Sequence, residues 1–298
     1  MNHKSERIPP SFNFQRPHGH KRPMTSNEKL IRLALEEDIG PGDVTTDALI
    51  EPEHVGRAVI FAKESLVLAG IEVACEVFTM LDPAMSFETT FQDGDRVGKG
   101  DEILTVCGKL QALLTGERTA LNFMQRLSGI ATLARQYTDR VAGSRVRVTD
   151  TRKTIPGWRR LEKYAVKVGG AHNHRFGLHD GILIKDNHIA ACGGISEAVA
   201  RIQDDRPHML RIEVEVSDLN QVKEALDNGV DIIMLDNMDL RDVRRSVKLV
   251  NGRALVEISG GVTLETLAEI VDAGVDIISV GALTHSARAV DISMRVLA

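Results

Sequence analysis

The sequence predicts an α/β protein in which a small N-terminal α/β domain precedes a β/α barrel. The N-terminal part mixes β-type runs with helical segments and turn-rich links. A long amphipathic stretch, residues 110–143, follows with apolar residues at helical spacing and should link the two halves. After it, six short apolar runs alternate with helix-length segments, which is typical of parallel strands covered on both faces.

Composition limits the classes of function. The chain has 298 residues, of which 43% are hydrophobic and 27% charged, as in ordinary globular proteins. A net charge of -5 argues against a nucleic-acid partner, so local clusters of Arg and Lys are interpreted as sites for small anions. No apolar run approaches the roughly 20 residues that span a bilayer, so no membrane partner is expected. Three widely spaced cysteines argue against a disulfide framework and fit a cytoplasmic protein.

The N-terminal elements are predicted in order. Residues 1–24 are polar and mostly cationic, which predicts a disordered extension. The first helix lies in "TSNEKLIRLALEEDIG", with Ser26 or Asn27 as its N-cap and Gly40 as its end. The predicted strands and turns lie in "GRAVIFAKES", "LVLAG", "MSFETTF" and "QDGDRVGKGDEILTV", with a helix in "IEVACEVFTML". With the linking helix, which is expected to break at Ser128 and Gly129, these segments form a domain over 25–142.

The barrel is predicted over residues 143–284. Its strands are expected in "VRVTD", "ILIKD", "IEVEV", "DIIMLD", "ALVEIS" and "DIISVG". The segments "NGVDIIMLDN" and "AGVDIISVGA" form a partial internal repeat, because each places a helix-ending glycine just before a strand. Residues 285–298 are expected to form a C-terminal helix.

The strand ends predict the site, because reacting groups in β/α barrels lie where strands end at the C-terminal face. The residues at those ends are Asp150, Arg152, Lys153, Lys185, Glu215, Asp236, Ser259, Gly260, Gly261, Gly281 and His285. Arginine and lysine bind carboxylates or phosphates. Acids together with water hold Mg²⁺, and glycine-rich turns offer backbone N–H groups to a phosphate. The pattern therefore predicts a site for a polyanionic ligand and a divalent metal.

Two groups of basic residues near these strand ends have separate interpretations. Arg159, Lys163 and Lys167 fall at four-residue spacing on the helix near Pro156, which favours a solvated face outside the site. The histidines of "HNHR" have no carboxylate at metal-ligand spacing, which disfavours zinc. His174, next to Arg175, is interpreted as part of the anion site.

Seven strings together resemble the quinolinate phosphoribosyltransferases, which are carboxylating nicotinate-nucleotide pyrophosphorylases. They are "EDIGPGDVTT", "GERTALNFMQRLSGIAT", "DTRKTIPGWRRLEKYAVKVGGAHNHRFGLHDGILIKDNHI", "IEVEV", "IIMLDNM", "EISGGV" and "VGALTHSA". The resemblance runs from about residue 27 to the C-terminus. It implies a small N-terminal α/β sandwich domain and an incomplete, roughly seven-stranded barrel. It also implies a homodimer or a hexamer of dimers whose active sites are shared between subunits.

The resemblance implies a reaction and assigns residues to it. With Mg²⁺, quinolinate and 5-phosphoribosyl-1-pyrophosphate (PRPP) give nicotinate mononucleotide, pyrophosphate and CO₂ in NAD synthesis. The quinolinate pocket is implied to consist of Arg152, His174, Arg175 and Lys185, with Arg118 supplied by the neighbouring subunit. Catalytic roles and PRPP contacts are implied for Lys153, Lys185, Glu215 and Asp236, the two acids lying near the ribose and the metal. Contacts at the phosphate end are implied for Ser259, Gly260, Gly281 and His285.

The chemistry of this reaction matches the residues present. Quinolinate is a dianion and PRPP is more negative still, so bringing them together requires several fixed cations. Attack by the pyridine nitrogen on the ribose carbon should pass through an oxocarbenium-like state, which carboxylates can stabilise. The quaternised ring then accepts the electrons of the departing carboxylate. We therefore expect neither an organic cofactor nor a covalent enzyme intermediate.

Four alternatives remain open at this point. A nicotinate phosphoribosyltransferase would bind one carboxylate, and the number of cations favours a dianion instead. A related homologue from molybdenum operons is not separated by sequence. A lysine-dependent aldolase could form a Schiff base at Lys153 or Lys185. A phosphosugar-binding barrel without catalysis is distinguished by turnover alone.

Overall fold

The computed structural model describes residues 25–297, which form two compact units. The first unit contains the chain up to Thr132 and from Arg288 onward, and the second is Leu133–Ala287. The linking helix is therefore divided between the units, whereas the sequence placed the boundary after residue 142. The predicted disordered extension, residues 1–24, lies outside the described residues.

The elements follow one another in chain order. Up to the linking helix they are α1 (Ser26–Ile39), α2 (Val44–Leu49), β1 (Val55–Ala62), β2 (Leu66–Val67), α3 (Ile71–Leu81), β3 (Ser86–Glu88), β4 (Arg96–Val97), β5 (Glu102–Lys109) and α4 (Leu110–Arg140). After it come β6 (Arg147–Thr149), α5 (Arg159–Val168), β7 (Ile182–Ile184), α6 (Asp186–Cys192), α7 (Ile195–Asp205), β8 (Ile212–Val216), α8 (Leu219–Asp227), β9 (Ile232–Asp236), α9 (Leu240–Val250), β10 (Leu255–Ser259), α10 (Leu267–Asp272), β11 (Ile277–Ser279), α11 (Ala282–His285) and β12 (Ile292–Leu297).

Helix α1 begins with a capping box one residue earlier than predicted. The hydroxyl of Thr25 accepts a hydrogen bond from the Glu28 amide at 3.1 Å, and the Glu28 carboxylate accepts one from the Thr25 amide at 2.6 Å. Two otherwise unpaired amides are thus satisfied reciprocally, which neither Ser26 nor Asn27 as N-cap would achieve. The helix ends at Gly40 as predicted, with a φ of 54°.

The predicted C-terminal helix over 285–298 is wrong. Helix α11 ends at His285, and the last described residues form β12, which pairs antiparallel with β1 and sets Ile292 opposite Ala62. The first sheet has the order β12-β1-β5-β3, so β12 satisfies backbone groups that would otherwise leave β1 as an open edge. The guanidinium of Arg295 lies 4.8 Å from the ring centre of Phe61 and bonds to Glu102, which fixes this pairing further.

Helix α4 continues through the predicted break at Ser128 and Gly129. The Ser128 hydroxyl accepts from the Ala69 amide at 3.0 Å and donates to the Ala69 carbonyl oxygen at 3.1 Å. At Gly129 the helix approaches the backbone of Arg288, where an added Cβ would lie 2.0 Å from the carbonyl oxygen. Both residues therefore serve close packing within the first unit and do not interrupt the helix.

The second unit confirms an incomplete β/α barrel. Its six parallel strands have the order β6-β11-β10-β9-β8-β7, with helices between successive strands. His172 adds a parallel bridge to Thr149 on the outer side of β6, so a short seventh segment extends the sheet. The carboxyl ends of all these strands lie along one edge. Within residues 25–297, no helix is both long enough and apolar enough to cross a membrane.

The close approach at Gly129 gives a stability prediction. We expect Gly129→Ala to lower the free energy of unfolding by about 1–3 kcal/mol, because backbone atoms of Arg288 cannot move aside for the new methyl group. The matched control is Gly116→Ala on the same helix, whose methyl would meet side chains of Leu81 and Phe78 at 2.9 and 3.0 Å. Chemical denaturation should show the larger loss for Gly129→Ala, and equal losses would contradict this account of the packing.

Candidate active site

Four predicted site residues end neighbouring strands on the same face of the barrel sheet. The register of β7 and β8 pairs Ile184 with Val214, so the next residue on each strand places Lys185 beside Glu215. Lys185 Nζ donates a hydrogen bond to Glu215 Oε2. Asp236 and Ser259 are direct partners in the β9–β10 ladder. The structure therefore brings a cation, two acids and a hydroxyl together at the edge where sequence placed them.

Two buried glutamates lie one step deeper on the same face and were missed by the sequence analysis. Glu213 on β8 is 5% exposed and Glu257 on β10 is 1% exposed. Both approach His174, whose Nε2 lies 3.1 Å from Glu213 Oε2 and 3.6 Å from Glu257 Oε1. A signal was present, because "IEVEV" and "LVEIS" place an acid inside an otherwise apolar parallel strand, where a buried charge requires a partner.

The environment of these groups changes their protonation. Burial alone lowers the pKa of His174, but the hydrogen bond that its ring donates to Glu213 and the charges of Glu213 and Glu257 outweigh it, so the pKa is raised above 6.5. Burial, followed by the negative charge of Glu213, raises the pKa of Glu257 to about 7. The proton on His174 and the proton on Glu257 are therefore favoured by the same closely packed group of side chains.

Lys163 corrects the prediction of a solvated helix face. Its side chain is 2% exposed, and its ammonium donates to the carboxylate of Asp150, which is fully buried. Asp150 thus faces α5 and does not belong to the ligand-facing edge. The four-residue spacing of the cations on α5 suggested solvent, but it could not reveal that the buried end of β6 carries an acid. Lys167 is exposed, as predicted.

The Asp150–Lys163 pair fixes the segment "HNHR". Asp150 Oδ1 accepts from the His174 amide at 2.9 Å, and Lys163 Nζ donates to the His174 carbonyl oxygen at 3.0 Å. The Asn173 side-chain amide, in the orientation that satisfies its partners, donates to Asp150 Oδ2 and to Lys163 O, each at 3.0 Å. The backbone that carries His174 and Arg175 is therefore held by a buried ion pair with several additional hydrogen bonds.

Arg152 and Arg175 lie close enough to influence each other. Burial, and next the positive charge of Arg152, lowers the pKa of Arg175. Arg175 Nη1 donates to the Gly181 carbonyl oxygen at 3.0 Å, which leaves further donors free. Arg152 Nε is buried and has no hydrogen-bond partner among residues 25–297. Two adjacent cations with unused donors are the arrangement that a carboxylate ligand requires.

Lys153, Gly281 and His285 meet at another part of the same edge. A Cβ added at Gly281 would lie 3.1 Å from Lys153 Cδ and 3.2 Å from the His285 ring. The Lys153 backbone is held by Thr284, whose hydroxyl donates to the Lys153 carbonyl oxygen at 2.7 Å. Lys153 and His285 are both exposed, so their polar groups are accessible to a ligand.

The turn after β10 requires glycine. Gly260 and Gly261 have φ values of 88° and 63°, and a Cβ at Gly260 would lie 2.1 Å from Asn237 Oδ1. A side chain at Gly260 would therefore displace the neighbouring turn as well as strain its own backbone. Successive turn amides of this kind can bind an anion such as a phosphate.

Arg118 lies apart from these groups in sequence and in structural unit. It is an exposed residue of α4 within the first unit. The other predicted site residues all belong to the second unit. The described geometry thus supports a site at the strand edge and leaves the role of Arg118 as a prediction.

Comparison with known proteins gives consistent matches along the chain. Residues 43–128 match the family model for the quinolinate phosphoribosyl transferase N-terminal domain, and residues 130–295 match that for its C-terminal domain. The chain is 46% identical over 269 residues to a probable nicotinate-nucleotide pyrophosphorylase [carboxylating] of Bacillus subtilis, covering 90% of this chain and 93% of that protein. It is 43% identical to the chloroplastic nicotinate-nucleotide pyrophosphorylase [carboxylating] of Arabidopsis thaliana, covering 90% of this chain and 82% of that one.

Solved structures agree with the sequence matches. The crystal structure of NadC from Streptococcus pyogenes superposes with a TM-score of 0.88 at 42% identity, covering 93% of this chain and all of that one. The nicotinate-nucleotide pyrophosphorylase from Pyrococcus furiosus superposes with a TM-score of 0.69 at 18% identity, covering 92% of this chain and 78% of that one, which shows a shared fold.

The buried ion pair gives a second stability prediction. We expect Lys163→Met to lower the free energy of unfolding by about 3–5 kcal/mol, because it leaves the carboxylate of Asp150 buried without its cation. The double variant Asp150→Asn with Lys163→Met should recover part of this loss, since no charge is then buried. Lys167→Met on the same helix is the matched control, as that lysine is exposed. If urea denaturation gave Lys163→Met and Lys167→Met the same free energy of unfolding, the stabilising role of the Asp150–Lys163 pair would be contradicted.

Proposed function

The chain belongs to the quinolinate phosphoribosyltransferase family, and we propose which of its residues carry out the family's reaction. The protein transfers the phosphoribosyl group of PRPP to quinolinate with decarboxylation, which gives nicotinate mononucleotide and pyrophosphate for NAD biosynthesis. The observation that carries the residue assignment is the pair of neighbouring arginines, Arg152 and Arg175, and the Arg152 Nε donor that is buried without a partner among the described residues.

We place the quinolinate dianion against Arg152, Arg175 and His174. Arg152 Nε is buried without a partner in the described part of the chain, so a carboxylate there would satisfy a donor that otherwise costs free energy. A second carboxylate would separate the two guanidinium charges and relieve their repulsion. Lys185, to which the resemblance assigns contacts with both substrates, lies at the end of β7 in contact with Glu215.

We place PRPP along the rest of the edge. The ribose would lie near Glu215 and Asp236, which end adjacent strands on one face. Its phosphate would bind the amides of the Ser259, Gly260 and Gly281 turns, with Lys153 and His285 neutralising its charge. This order along the sheet brings the ribose carbon next to the pyridine nitrogen.

Glu215 and Asp236 are also the proposed ligands of Mg²⁺, partly through water. The residues fit this ion, because carboxylate oxygens at an open strand edge are the hard donors that Mg²⁺ prefers. Among residues 25–297, the group of three side chains whose ligand atoms lie within 4.8 Å of one another is a different one, His174 with Glu213 and Glu257, and its nitrogen donor is less suited to Mg²⁺. When bound, Mg²⁺ would neutralise charge on the departing pyrophosphate.

The side chains themselves would act in three ways during transfer. Arg152 and Arg175 would hold the dianion so that its ring nitrogen faces the ribose, which replaces a bimolecular encounter with a fixed geometry. Glu215 and Asp236 would stabilise the positive charge that develops on the ribose. Lys185 would hold the Glu215 carboxylate in place through their contact. The quaternised substrate ring takes up the electrons of the lost carboxylate, so no organic cofactor is required in this scheme.

We further propose a homodimer, or a hexamer of dimers, in which Arg118 of one subunit completes the quinolinate pocket of its neighbour. Arg118 is exposed on α4 and belongs to the first unit, whereas the rest of the pocket belongs to the second. An exposed arginine supplied from a neighbour would add a third guanidinium to a ligand with two carboxylates.

A cytoplasmic location is proposed from cysteine chemistry. Cys75, Cys107 and Cys192 are all free within the described residues. Unpaired thiols of this kind are typical of a reducing compartment.

Arg152→Ala tests the pocket. Loss of charge-assisted hydrogen bonds of about 1.5–3 kcal/mol should raise the quinolinate KM on the order of 10-fold to 100-fold. The KM for PRPP should change much less. Nicotinate mononucleotide and CO₂ would be measured with quinolinate, and with nicotinate as a parallel substrate. Arg244→Ala, at an exposed position on α9, is the control. Kinetics of Arg152→Ala equal to that control would refute the assignment.

Subunit complementation tests the role of Arg118. Arg118→Ala and Lys185→Ala should each be nearly inactive, and co-refolding them should restore about a quarter of wild-type activity if dimers assort at random. In such a mixture half of the dimers are mixed, and each mixed dimer regains one of its two sites. Purification with two different tags would verify that mixed dimers form. If those mixed dimers were inactive, a shared site would be excluded.

A further inference from the structure

A connected polar cluster lies beneath the proposed quinolinate pocket, on the inward face of the barrel sheet. We call Glu213, Glu257, Ser279 and Thr149 the interior cluster. The Ser279 hydroxyl donates to Glu257 Oε1, and Thr149 Oγ1 lies 2.9 Å from Ser279 Oγ. Because the single proton of Ser279 is used on Glu257, Thr149 must donate in the second contact. Three strands thus hold the Glu257 carboxylate in one orientation.

His174 approaches this cluster with one specified ring nitrogen. Nε2 lies 3.1 Å from Glu213 Oε2 and 3.6 Å from Glu257 Oε1, so this nitrogen faces the two acids. The backbone of His174 is fixed independently, through Asp150 and Lys163. The residue is therefore held at its backbone and at Nε2, and Nδ1 is the ring nitrogen that would meet a ligand in the proposed pocket.

The direction of Nε2 decides what Nδ1 can do. A neutral imidazole has one N–H, and the carboxylate oxygens of Glu213 and Glu257 place it on Nε2. Nδ1 would then be an acceptor, which would repel a carboxylate ligand. With the proton that the two acids stabilise, the ring becomes an imidazolium and Nδ1 becomes a donor as well. The positive charge of Lys163 disfavours the imidazolium form of His174. The carboxylate of Asp150, which pairs with Lys163, reduces that repulsion.

We propose that Glu213 and Glu257 are positioning residues that hold His174 as an imidazolium, with Nε2 toward the interior cluster and Nδ1 donating to a carboxylate of quinolinate. This inference rests on the proposed pocket of Arg152, His174 and Arg175. Glu213 also favours the charged form of Arg175, so one buried acid supports two of the three pocket cations. The raised pKa of His174 agrees with this arrangement.

The same three side chains could instead bind a divalent metal, since their ligand atoms lie within 4.8 Å of one another. In that case Nε2 would carry the metal and the ring would stay neutral, as metal-bound imidazoles are. Measurement of the ring protonation therefore separates the two arrangements. The metal content of the purified protein provides a second and independent reading.

The test is histidine side-chain ¹⁵N NMR on chelator-treated protein across pH 5.5–8.5, with His174→Gln to assign the signal. In the wild type we expect both nitrogens of His174 to be protonated at a pH above its ordinary pKa near 6.5. Glu213→Gln should lower the titration midpoint and weaken quinolinate binding by about 10-fold or more, as expected when a charge-assisted hydrogen bond is lost. Glu257→Gln should act in the same direction by a smaller factor, because it lies farther from Nε2.

The kinetic readout distinguishes positioning from a general loss of structure. The quinolinate KM of Glu213→Gln should approach the wild-type value as the pH falls and His174 regains its proton, while kcat changes less than KM. Glu37→Gln, at an exposed position on α1, is the surface control. Should either glutamine variant unfold, Ser279→Ala keeps all three charged side chains and should shift the His174 midpoint downward by a smaller amount.

Two results would overturn the proposal. One is a His174 midpoint and quinolinate affinity that are unchanged in Glu213→Gln. The other is a neutral His174 ring with stoichiometric metal in untreated protein. Neither result would contradict the proposed reaction, because that reaction is tested separately by whether the wild type forms nicotinate mononucleotide. Conversely, a wild type without turnover would refute the proposed site while the NMR still reported the state of His174.

Discussion

The buried contact between Asp150 and Lys163 joins the end of the first barrel strand to the first barrel helix, and the segment that carries His174 depends on it. Both oxygens of the Asp150 carboxylate and the Lys163 ammonium bond to the chain 172–174 or to each other. A buried ion pair is expensive to form, because both charges lose their water. Here the additional hydrogen bonds offset that cost, and the bonds are those that set the direction of His174.

Charge in the second unit is arranged in layers. The cations Arg152 and Arg175 follow strand or loop ends, and the acids Glu213 and Glu257 are buried within the strands. In the proposed site, acids behind the cations would reduce the repulsion among the cations before a ligand arrives, and the ligand would supply negative charge from the other side. Such an arrangement would favour a dianion without leaving isolated charges in the interior.

The sequence was sufficient for features that repeat or that local chemistry determines. Alternating apolar runs predicted the parallel barrel, and strand ends predicted Lys185, Glu215, Asp236 and Ser259 as neighbours, which the register confirms. It failed where a partner distant in sequence decides the outcome. The burial of Lys163 depends on Asp150 across a loop, and β12 forms only because β1 offers an unpaired edge. Glu213 and Glu257 lie inside strands, where the sequence shows an acid in an apolar run but not the histidine that it meets from a distant loop. The residue roles and the Mg²⁺ site stay predictions.

The pairing of β12 with β1 has a consequence for synthesis of the chain. The strand that closes the first sheet emerges from the ribosome only after the whole second unit has been made. Until then β1 presents an open edge, and the backbone of Arg288 is not yet in place against Gly129 on α4. The barrel has mostly neighbouring strands in sequence, so it can close first, whereas the N-terminal sheet waits for a contact of very large sequence separation. During that interval the exposed edge of β1 is the part of the nascent chain most prone to pair with another molecule, and the demand on chaperones should concentrate there.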